Sequence, residues 1–215
     1  MEKRMSLQAC QLACMRGGRS LFHGLDFTLE AGDALRVSGA NGSGKSSLLR
    51  LLCGLSFPSA GEVRWQGRDI RSAREEYGAA LLYLGHANGV KDDLLAWENV
   101  VVASTLAGRP VSRAQACAAL SALGLGPQAH LPTLALSQGQ RKRVALARLH
   151  LQQEARLWIL DEPFAALDTA TIAALTVTLE RHLAQGGALV YTTHQPVALR
   201  APRMRTLDLS MGAAC

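Results

Sequence analysis

The stretch Gly39-Ala40-Asn41-Gly42-Ser43-Gly44-Lys45-Ser46 decides the fold of this chain. It has the form G-x-x-x-x-G-K-S/T, a phosphate-binding loop whose glycines let several backbone N–H groups point at phosphate oxygens. Lys45 is expected to reach the β- and γ-phosphates of a nucleotide, and the Ser46 hydroxyl to face Mg²⁺. Residues 34–38 predict a strand before the loop and residues 46–55 a helix after it, which is the setting that this motif requires.

A pair of carboxylates, Asp161 and Glu162, follows the apolar run Leu157–Leu160. Unbroken apolarity predicts a buried strand of a parallel sheet, and the carboxyl ends of such strands face the ligand crevice. Asp161 is therefore expected to hold Mg²⁺, directly or through water, and Glu162 to accept a proton from the attacking water. The alternative is a capping pair before Pro163. Small-molecule kinases also combine a phosphate loop with an acidic strand end, so the pair by itself leaves a phosphoryl-transfer kinase open.

The segment Leu136-Ser137-Gln138-Gly139-Gln140 separates these classes. Ser137 at the predicted N-cap and Gly139 in the first turn leave a helix N-terminus free to meet phosphate. The alternative is simple capping, in which Gln140 folds back on Ser137. Capping and phosphate binding are compatible, because a serine hydroxyl can accept one hydrogen bond and donate another. In its place before the predicted strand, the pentapeptide resembles the signature of ABC (ATP-binding cassette) ATPases, although the family usually has glycine at the position of Gln138.

The resemblance to ABC ATPases implies roles for two further residues. Asp168 looks like the family's D-loop, which signals across a dimer, whereas alone it is no more than a helix N-cap. His194 follows the last strong strand and matches the switch histidine that contacts the γ-phosphate, although an isolated histidine is ordinarily structural. In the family two copies enclose the nucleotide, so the phosphate loop of one copy would meet Ser137 and Gly139 of the other.

These expectations define a site residue by residue. Glu162 and His194 are predicted to be catalytic, and Ser46 and Asp161 to hold Mg²⁺. ATP and Mg²⁺ are the expected cofactors. The predicted nucleotide-binding residues are Gly39, Ala40, Asn41, Gly42, Ser43, Gly44, Lys45, Ser46, Ser47, Ser137, Gly139, Gln140, Asp168 and Arg16.

Two positions depart from the family pattern. The family normally has a glutamine after the strand Leu81–Leu84, and Ala87 occupies that position here. We expect that His86 or Asn88, or an ordered water, substitutes for it. An aromatic residue that stacks on adenine in many relatives is missing near Arg16, whose guanidinium plane could stack instead. A preference for adenine over guanine is therefore implied by the resemblance and not by these residues.

Strands that alternate with helices predict an α/β fold with a mostly parallel sheet and helices on both faces. The resemblance specifies the P-loop NTPase core of ABC-ATPase type, with an N-terminal antiparallel β region. Residues 92–107 and 112–123 look helical with no strand between them. We expect a single ABC ATPase domain over residues 1–215, with its core at 1–86 and 136–215 and a helical subdomain at about 87–135.

Composition sets further limits. The 215 residues suit one domain, no run approaches the roughly 20 apolar residues that span a bilayer, and the first six residues lack the apolar stretch of a signal peptide. A cytosolic protein is expected. The net charge of +6 favours anionic partners, but the positive charges are scattered. The cysteines form no C-x-x-C pair and are expected to be reduced thiols: Cys10, Cys14, Cys53, Cys117 and Cys215.

Narrower stretches are similar to the ATP-binding subunit of the bacterial cytochrome c maturation system, a haem exporter family: residues 62–67, 85–91, 96–99, 158–164 and 192–196. That family lies peripherally on the cytoplasmic face of the inner membrane and uses ATP to release haem from its periplasmic chaperone. The resemblance implies integral membrane subunits and a second copy of the chain as partners, with no nucleic acid and no direct haem ligand. The alternatives are an ABC exporter of lipoprotein, peptide or drug, and a soluble ABC protein acting on DNA or the ribosome.

Overall fold

The computed structural model describes residues 5–210, so residues 1–4 and 211–215, Cys215 among them, lie outside the description. The helices and strands follow in this order: β1 (Ser6–Arg16), β2 (Arg19–Glu30), β3 (Asp33–Ser38), α1 (Lys45–Leu52), β4 (Ala60–Trp65), β5 (Arg68–Asp69), α2 (Arg74–Ala80), β6 (Leu81–Leu84), α3 (Ala96–Leu106), α4 (Arg113–Ala122), α5 (Gln138–Leu146), α6 (Arg148–Leu151), β7 (Leu157–Leu160), α7 (Thr169–Ala184), β8 (Ala188–Thr192) and β9 (Arg203–Asp208). None of the helices in this part of the chain has the length and apolarity needed to cross a bilayer.

A five-stranded parallel sheet forms the centre, in the order β6-β7-β8-β3-β9. All residues of β7 and β8 are buried, which agrees with helices on both faces of the sheet. Since neighbouring strands run in the same direction, their carboxyl ends meet at one edge. The phosphate loop after β3 and the carboxylates after β7 are therefore brought together, and the predicted fold class is confirmed.

A second, antiparallel sheet has the order β2-β1-β4-β5. Its β1–β2 hairpin turns at Gly17 and Gly18, which both have positive φ and so match a type I′ turn. The hairpin packs on the phosphate loop, because a Cβ at Gly44 would lie 3.1 Å from Leu21 Cβ and 3.2 Å from the Phe22 ring. The predicted N-terminal antiparallel region is thus confirmed, and it forms one wall of the loop.

The helices α3 and α4 pack into the same hydrophobic core as one face of the parallel sheet. Ala96 and Leu120 of these helices are fully buried together with Trp158 of β7. The helix predicted from residue 92 begins only at Ala96, because the Asn99 side chain holds the preceding turn: it accepts from the Lys91 N–H at 2.7 Å. The helical segment therefore shares a hydrophobic core with the parallel sheet.

The edge strand β9 was not predicted from the sequence. Its residues are almost all exposed, so no apolar alternation marks it. Arg203 fixes its start, with Nε 2.9 Å from the Oδ1 of Asp33, a carboxylate buried at the start of β3. At the other end the Leu209 N–H donates to Ser38 O at 3.0 Å. β9 is thus fixed to both ends of the strand that leads into the phosphate loop.

A buried histidine packs on the opposite, amino-terminal side of the sheet. The His182 ring stacks on Trp158 with 3.8 Å between ring centroids and 6° between planes, and its Nε2 donates to Ala188 O at 3.2 Å. Gly187 is required beside it, because an added Cβ would overlap the ring. Burial lowers the pKa of His182 to about 4, with a smaller contribution from Arg156 and an opposing one from the bond to Ala188.

Acid is expected to destabilise the fold through His182. Because its pKa is about 4 in the folded chain and near 6.5 in the unfolded chain, the unfolded chain binds an extra proton between these values. The free energy of unfolding should therefore fall as the pH drops from about 6.5 towards 4, by up to about 1.4 kcal/mol per pH unit. Urea unfolding of the wild type and of His182→Phe at several pH values separates this effect from carboxylate titration. Identical pH slopes in the two proteins would contradict it.

Candidate nucleotide-binding and hydrolysis site

The phosphate loop has a backbone that requires glycine. Gly39, Gly42 and Gly44 have φ values of 141°, 81° and 102°, which residues with a side chain rarely adopt. At Gly39 a Cβ would also lie only 2.6 Å from Ser43 Oγ. These turns bring the chain to the start of α1, whose first turn carries no acidic residue. The positive end of the helix therefore remains available to an anion.

Lys45 lies across the loop. Its Nζ donates to Gly39 O at 2.8 Å and to Ala40 O at 3.1 Å. Ser38 and Ala40 are themselves fixed by the segment after β9, since the Ala40 N–H donates to Ser210 Oγ at 3.3 Å. The ammonium group is thus held at the mouth of the loop, where it can exchange carbonyl oxygens for phosphate oxygens.

A cleft of about 650 Å³ opens over the loop, which is a volume typical of small-ligand sites. It is lined by Arg16, Leu21, Asn41, Gly42, Gly44, Lys45, Ser46, Ser47, His86, Asp161, Glu162 and His194. The predicted residues Gly39, Ala40 and Ser43 belong to the loop but do not line this cleft. The structure therefore brings together the Lys45 side of the loop, the carboxylate pair and His194.

The Thr192 hydroxyl holds the carboxylate pair in place. It donates to Asp161 Oδ1 at 2.7 Å and accepts from the Glu162 N–H at 2.8 Å. The Asp161 N–H donates to Leu84 O at 2.8 Å, so hydrogen bonds join the ends of β6, β7 and β8. Thr192 was missed from the sequence. Its only signal there is a polar residue that ends the apolar run Ala188–Thr192.

Glu162 lies on a strained turn beside His194. Its φ of 50° is in the left-handed region, at a cost of about 1–3 kcal/mol that is common at functional sites. The His194 N–H donates to Glu162 Oε2 at 3.3 Å, and His194 Nε2 lies 3.5 Å from Oε1, at the limit of a hydrogen bond. The Glu162 side chain is 16% exposed and the His194 side chain 59%. The carboxylate is therefore fixed, while the imidazole borders the open cleft.

Asp161 and Ser46 fit a magnesium ion. Both line the cleft, and carboxylate and hydroxyl oxygens are the hard ligands that Mg²⁺ prefers. Asp161 Oδ2 is buried and has no hydrogen-bond partner within residues 5–210, so it needs a cation or a water. The same residues contain no cluster of three or more His, Cys, Asp or Glu side chains able to hold a metal. Two protein ligands suit Mg²⁺, which keeps waters and substrate phosphates as its other ligands.

The signature segment lies outside this cleft. Ser137 Oγ accepts from the Gln140 N–H at 3.2 Å, and the Gln140 side chain accepts from the Ser137 N–H at 2.8 Å, so the predicted capping box is confirmed. Gly139 is required because a Cβ there would lie 2.5 Å from Ala166 O. Asp168 caps α7 by accepting from Thr171 N–H, a bond that lowers the pKa of its carboxyl. None of Ser137, Gly139, Gln140 and Asp168 lines the cleft over the phosphate loop.

The fold and the cleft together define an ATP-binding cassette ATPase. The ABC transporter family matches residues 22–165. An ABC transporter ATP-binding protein from Pyrococcus furiosus has the same fold, with a TM-score of 0.81 at 20% identity over 97% of this chain and 100% of that one. A dimeric ATP-binding cassette in a post-hydrolysis state, bound to ADP and Pi, gives a TM-score of 0.79 at 23% identity over 95% of both chains.

The chain belongs to the ABC transporter family and, within it, to the cytochrome c biogenesis ATP-binding export proteins. Relatives named cytochrome c biogenesis ATP-binding export protein CcmA are 49% identical in Nitrosospira multiformis, over 95% of this chain and 99% of the relative, and 50% identical in Aromatoleum aromaticum, over 97% of each. The Escherichia coli relative is 45% identical, over 97% of this chain and 98% of its own length. Both predicted resemblances are confirmed, and the small-molecule kinase is excluded.

Removal of the Thr192 hydroxyl is expected to impair both folding and catalysis. Thr192→Val keeps the shape but leaves Asp161 Oδ1 and the Glu162 N–H without their partner, so the free energy of unfolding should fall by about 1–3 kcal/mol and ATP turnover with it. Thr192→Ser is the matched control, because it keeps the hydroxyl and loses only a methyl group. Urea unfolding and steady-state ATPase assays compare the two variants. Equal behaviour of valine and serine would contradict this role.

Proposed function

We propose that this chain is the ATP-hydrolysing subunit of a membrane complex for cytochrome c biogenesis, in which hydrolysis drives haem export or the release of haem from its periplasmic chaperone. One observation carries the proposal: a single cleft gathers Lys45, Asp161, Glu162 and His194. The chain belongs to the ABC transporter family, and its relatives are named for cytochrome c biogenesis and export.

Nucleotide binding begins at the phosphate loop. Lys45 exchanges its two carbonyl partners for β- and γ-phosphate oxygens, and the amino-terminal end of α1 adds its partial positive charge. Ser46 and Asp161 would hold Mg²⁺, which would supply positive charge to neutralise the phosphates. At the other end of the cleft Arg16 stacks its guanidinium plane on the base. The triphosphate is thereby fixed with its γ-phosphate towards the ends of β7 and β8.

Hydrolysis follows from the positions of Glu162 and His194. Glu162 accepts a proton from the attacking water, whose oxygen bonds to the γ-phosphorus while the bond to the bridging oxygen breaks, giving ADP and phosphate. His194 contacts the γ-phosphate and restrains the Glu162 carboxylate through the contacts at 3.3 and 3.5 Å. The strained turn at Glu162 keeps the base directed at the cleft without a rearrangement during the reaction.

A second copy of the chain completes the site. Ser137, Gly139 and Gln140 begin α5, whose first turn has no acidic residue and whose Ser137 is exposed. Such a helix start binds phosphate, so it meets the γ-phosphate of the nucleotide held by the partner copy. Asp168 lies at the start of α7, where it transmits the state of one site to the other. The dimeric cassette bound to ADP and Pi is a related assembly.

Integral membrane subunits are the proposed partners, with the chain held peripherally on the cytoplasmic face of the bacterial inner membrane. The helical segment at residues 87–135 passes the opening of the dimer to them. It carries exposed apolar side chains suited to a protein contact, since Val102 is 42% exposed and Leu106 84% exposed. Neither nucleic acid nor a haem ligand from this chain is part of the proposal. An exporter of lipoprotein, peptide or drug would use the same chemistry, but the names of the relatives favour cytochrome c biogenesis.

Glu162→Gln tests the hydrolytic step. The amide keeps the size of the side chain but cannot accept the proton, so the variant should bind Mg·ATP and dimerise while turnover falls by about 10²-fold or more. Steady-state ATPase assays and size-exclusion chromatography with ATP measure both properties. Glu75→Gln, an exposed carboxylate on α2, is the matched control and should behave as the wild type. Unchanged turnover in Glu162→Gln would remove this residue from catalysis.

Isolation from membranes in mild detergent tests the cytochrome c assignment. The tagged chain should bring down integral membrane proteins of cytochrome c biogenesis, identified by mass spectrometry. A strain that carries Lys45→Ala should lose covalent haem from its c-type cytochromes, measured by haem staining, because the phosphate loop then binds ATP poorly. Recovery of a lipoprotein, peptide or drug exporter, with normal haem attachment, would instead support the alternative cargo.

A further inference from the structure

Two histidines stand in equivalent positions on either side of the catalytic carboxylates. In the parallel sheet β7 lies between β6 and β8, and Asp161 and Glu162 directly follow β7. His194 comes two residues after the end of β8, and His86 comes two residues after the end of β6. Both imidazoles line the same cleft as Lys45. His194 has a proposed role in hydrolysis, whereas His86 has none so far.

The strand ends hold this arrangement together. The Asp161 N–H donates to Leu84 O at 2.8 Å, which fixes the end of β6 against the start of the carboxylate turn. His86 is separated from this bond by Gly85 alone. The backbone that carries His86 is therefore anchored beside Asp161, as the backbone near His194 is anchored through Thr192.

The residues that follow His86 line a different cavity. A second cavity of about 380 Å³ adjoins the cleft and shares Ser46, His86 and Asp161 with it. Ala87 and Asn88 line only this second cavity. An alanine offers no polar group, and Asn88 does not line the cleft that contains Lys45 and Glu162, so His86 is better placed than either to reach a phosphate bound there. His86 is the residue of this loop that borders both spaces.

The His86 side chain is exposed, and its ring has no polar partner within residues 5–210. In its neutral form an imidazole has one nitrogen that donates and one that accepts, so it can orient a water and bind a phosphate oxygen. A ring without an intramolecular partner can turn towards the cleft at little cost. These properties are the ones that a side-chain amide would supply at this position.

We propose that His86 is a further residue of the hydrolytic site, which orients the attacking water or a γ-phosphate oxygen from the β6 side while His194 acts from the β8 side. The inference rests on the proposed ATPase function and adds to it. His86, and not Asn88, would then substitute for the glutamine that the family usually has at the position of Ala87.

The test compares His86→Ala, His86→Gln and Asn88→Ala with the wild type. His86→Ala should lower kcat about 10-fold or more while KM for ATP changes little, because one oriented hydrogen bond is lost in the transition state. His86→Gln should recover most of the rate, since an amide also donates and accepts. Asn88→Ala should stay within about twofold of the wild type, as surface substitutions usually do. In a Glu162→Gln background, the affinity for a fluorescent ATP analogue should be the same with and without the substitution His86→Ala.

The outcomes separate the inference from the proposed function. If the wild type hydrolyses ATP and His86→Ala does so at the same rate, His86 is not part of the site although the ATPase function stands. A loss in Asn88→Ala equal to that in His86→Ala would likewise overturn the assignment, as would a loss of nucleotide affinity equal to the loss of kcat. If the wild type does not hydrolyse ATP at all, the proposed function itself fails and the inference with it.

Discussion

Parallel pairing of β6, β7 and β8 is the constraint on which the whole site depends. Strands that run in one direction end at one edge, and there the bonds from Asp161 N–H to Leu84 O and from Thr192 to Asp161 join three strand ends. The carboxylates consequently sit on backbone that is fixed from both sides. Carboxylates held in this way suit the proposed roles of base and metal ligand, because fixed groups need no reorganisation when charge develops in a reaction.

The second sheet completes the cleft from above. Its β1–β2 hairpin contacts the phosphate loop so closely that Gly44 has no space for a side chain, and Arg16 and Leu21 of the hairpin line the cleft. The cleft is therefore built between two layers: the parallel sheet carries the phosphate loop and the carboxylates, and the antiparallel sheet contributes Arg16 and Leu21. Edge strand β9 adds support, because its continuation bonds to Ser38 and Ala40.

The phosphate loop and the capped start of α5 do not share a cleft within the single chain. Residues of the loop at 39–46 line the cleft, whereas the capped start of α5 lies outside it, where Gly139 is packed against Ala166 O. Their separation supports the proposed role of a second copy, since each site then becomes complete only in an assembly.

The sequence by itself determined the features that depend on residues close together along the chain. The glycine spacing of the phosphate loop, the apolar runs of β6, β7 and β8 and the capping boxes at Ser112 and Ser137 are local, so their patterns predicted the elements and most of the cleft. Only the tertiary structure decided which distant residues meet. The bond of Thr192 to Asp161 joins residues 31 positions apart, and the exposed strand β9 lacks an apolar pattern. Strand order and packing create these contacts, and no local periodicity encodes them.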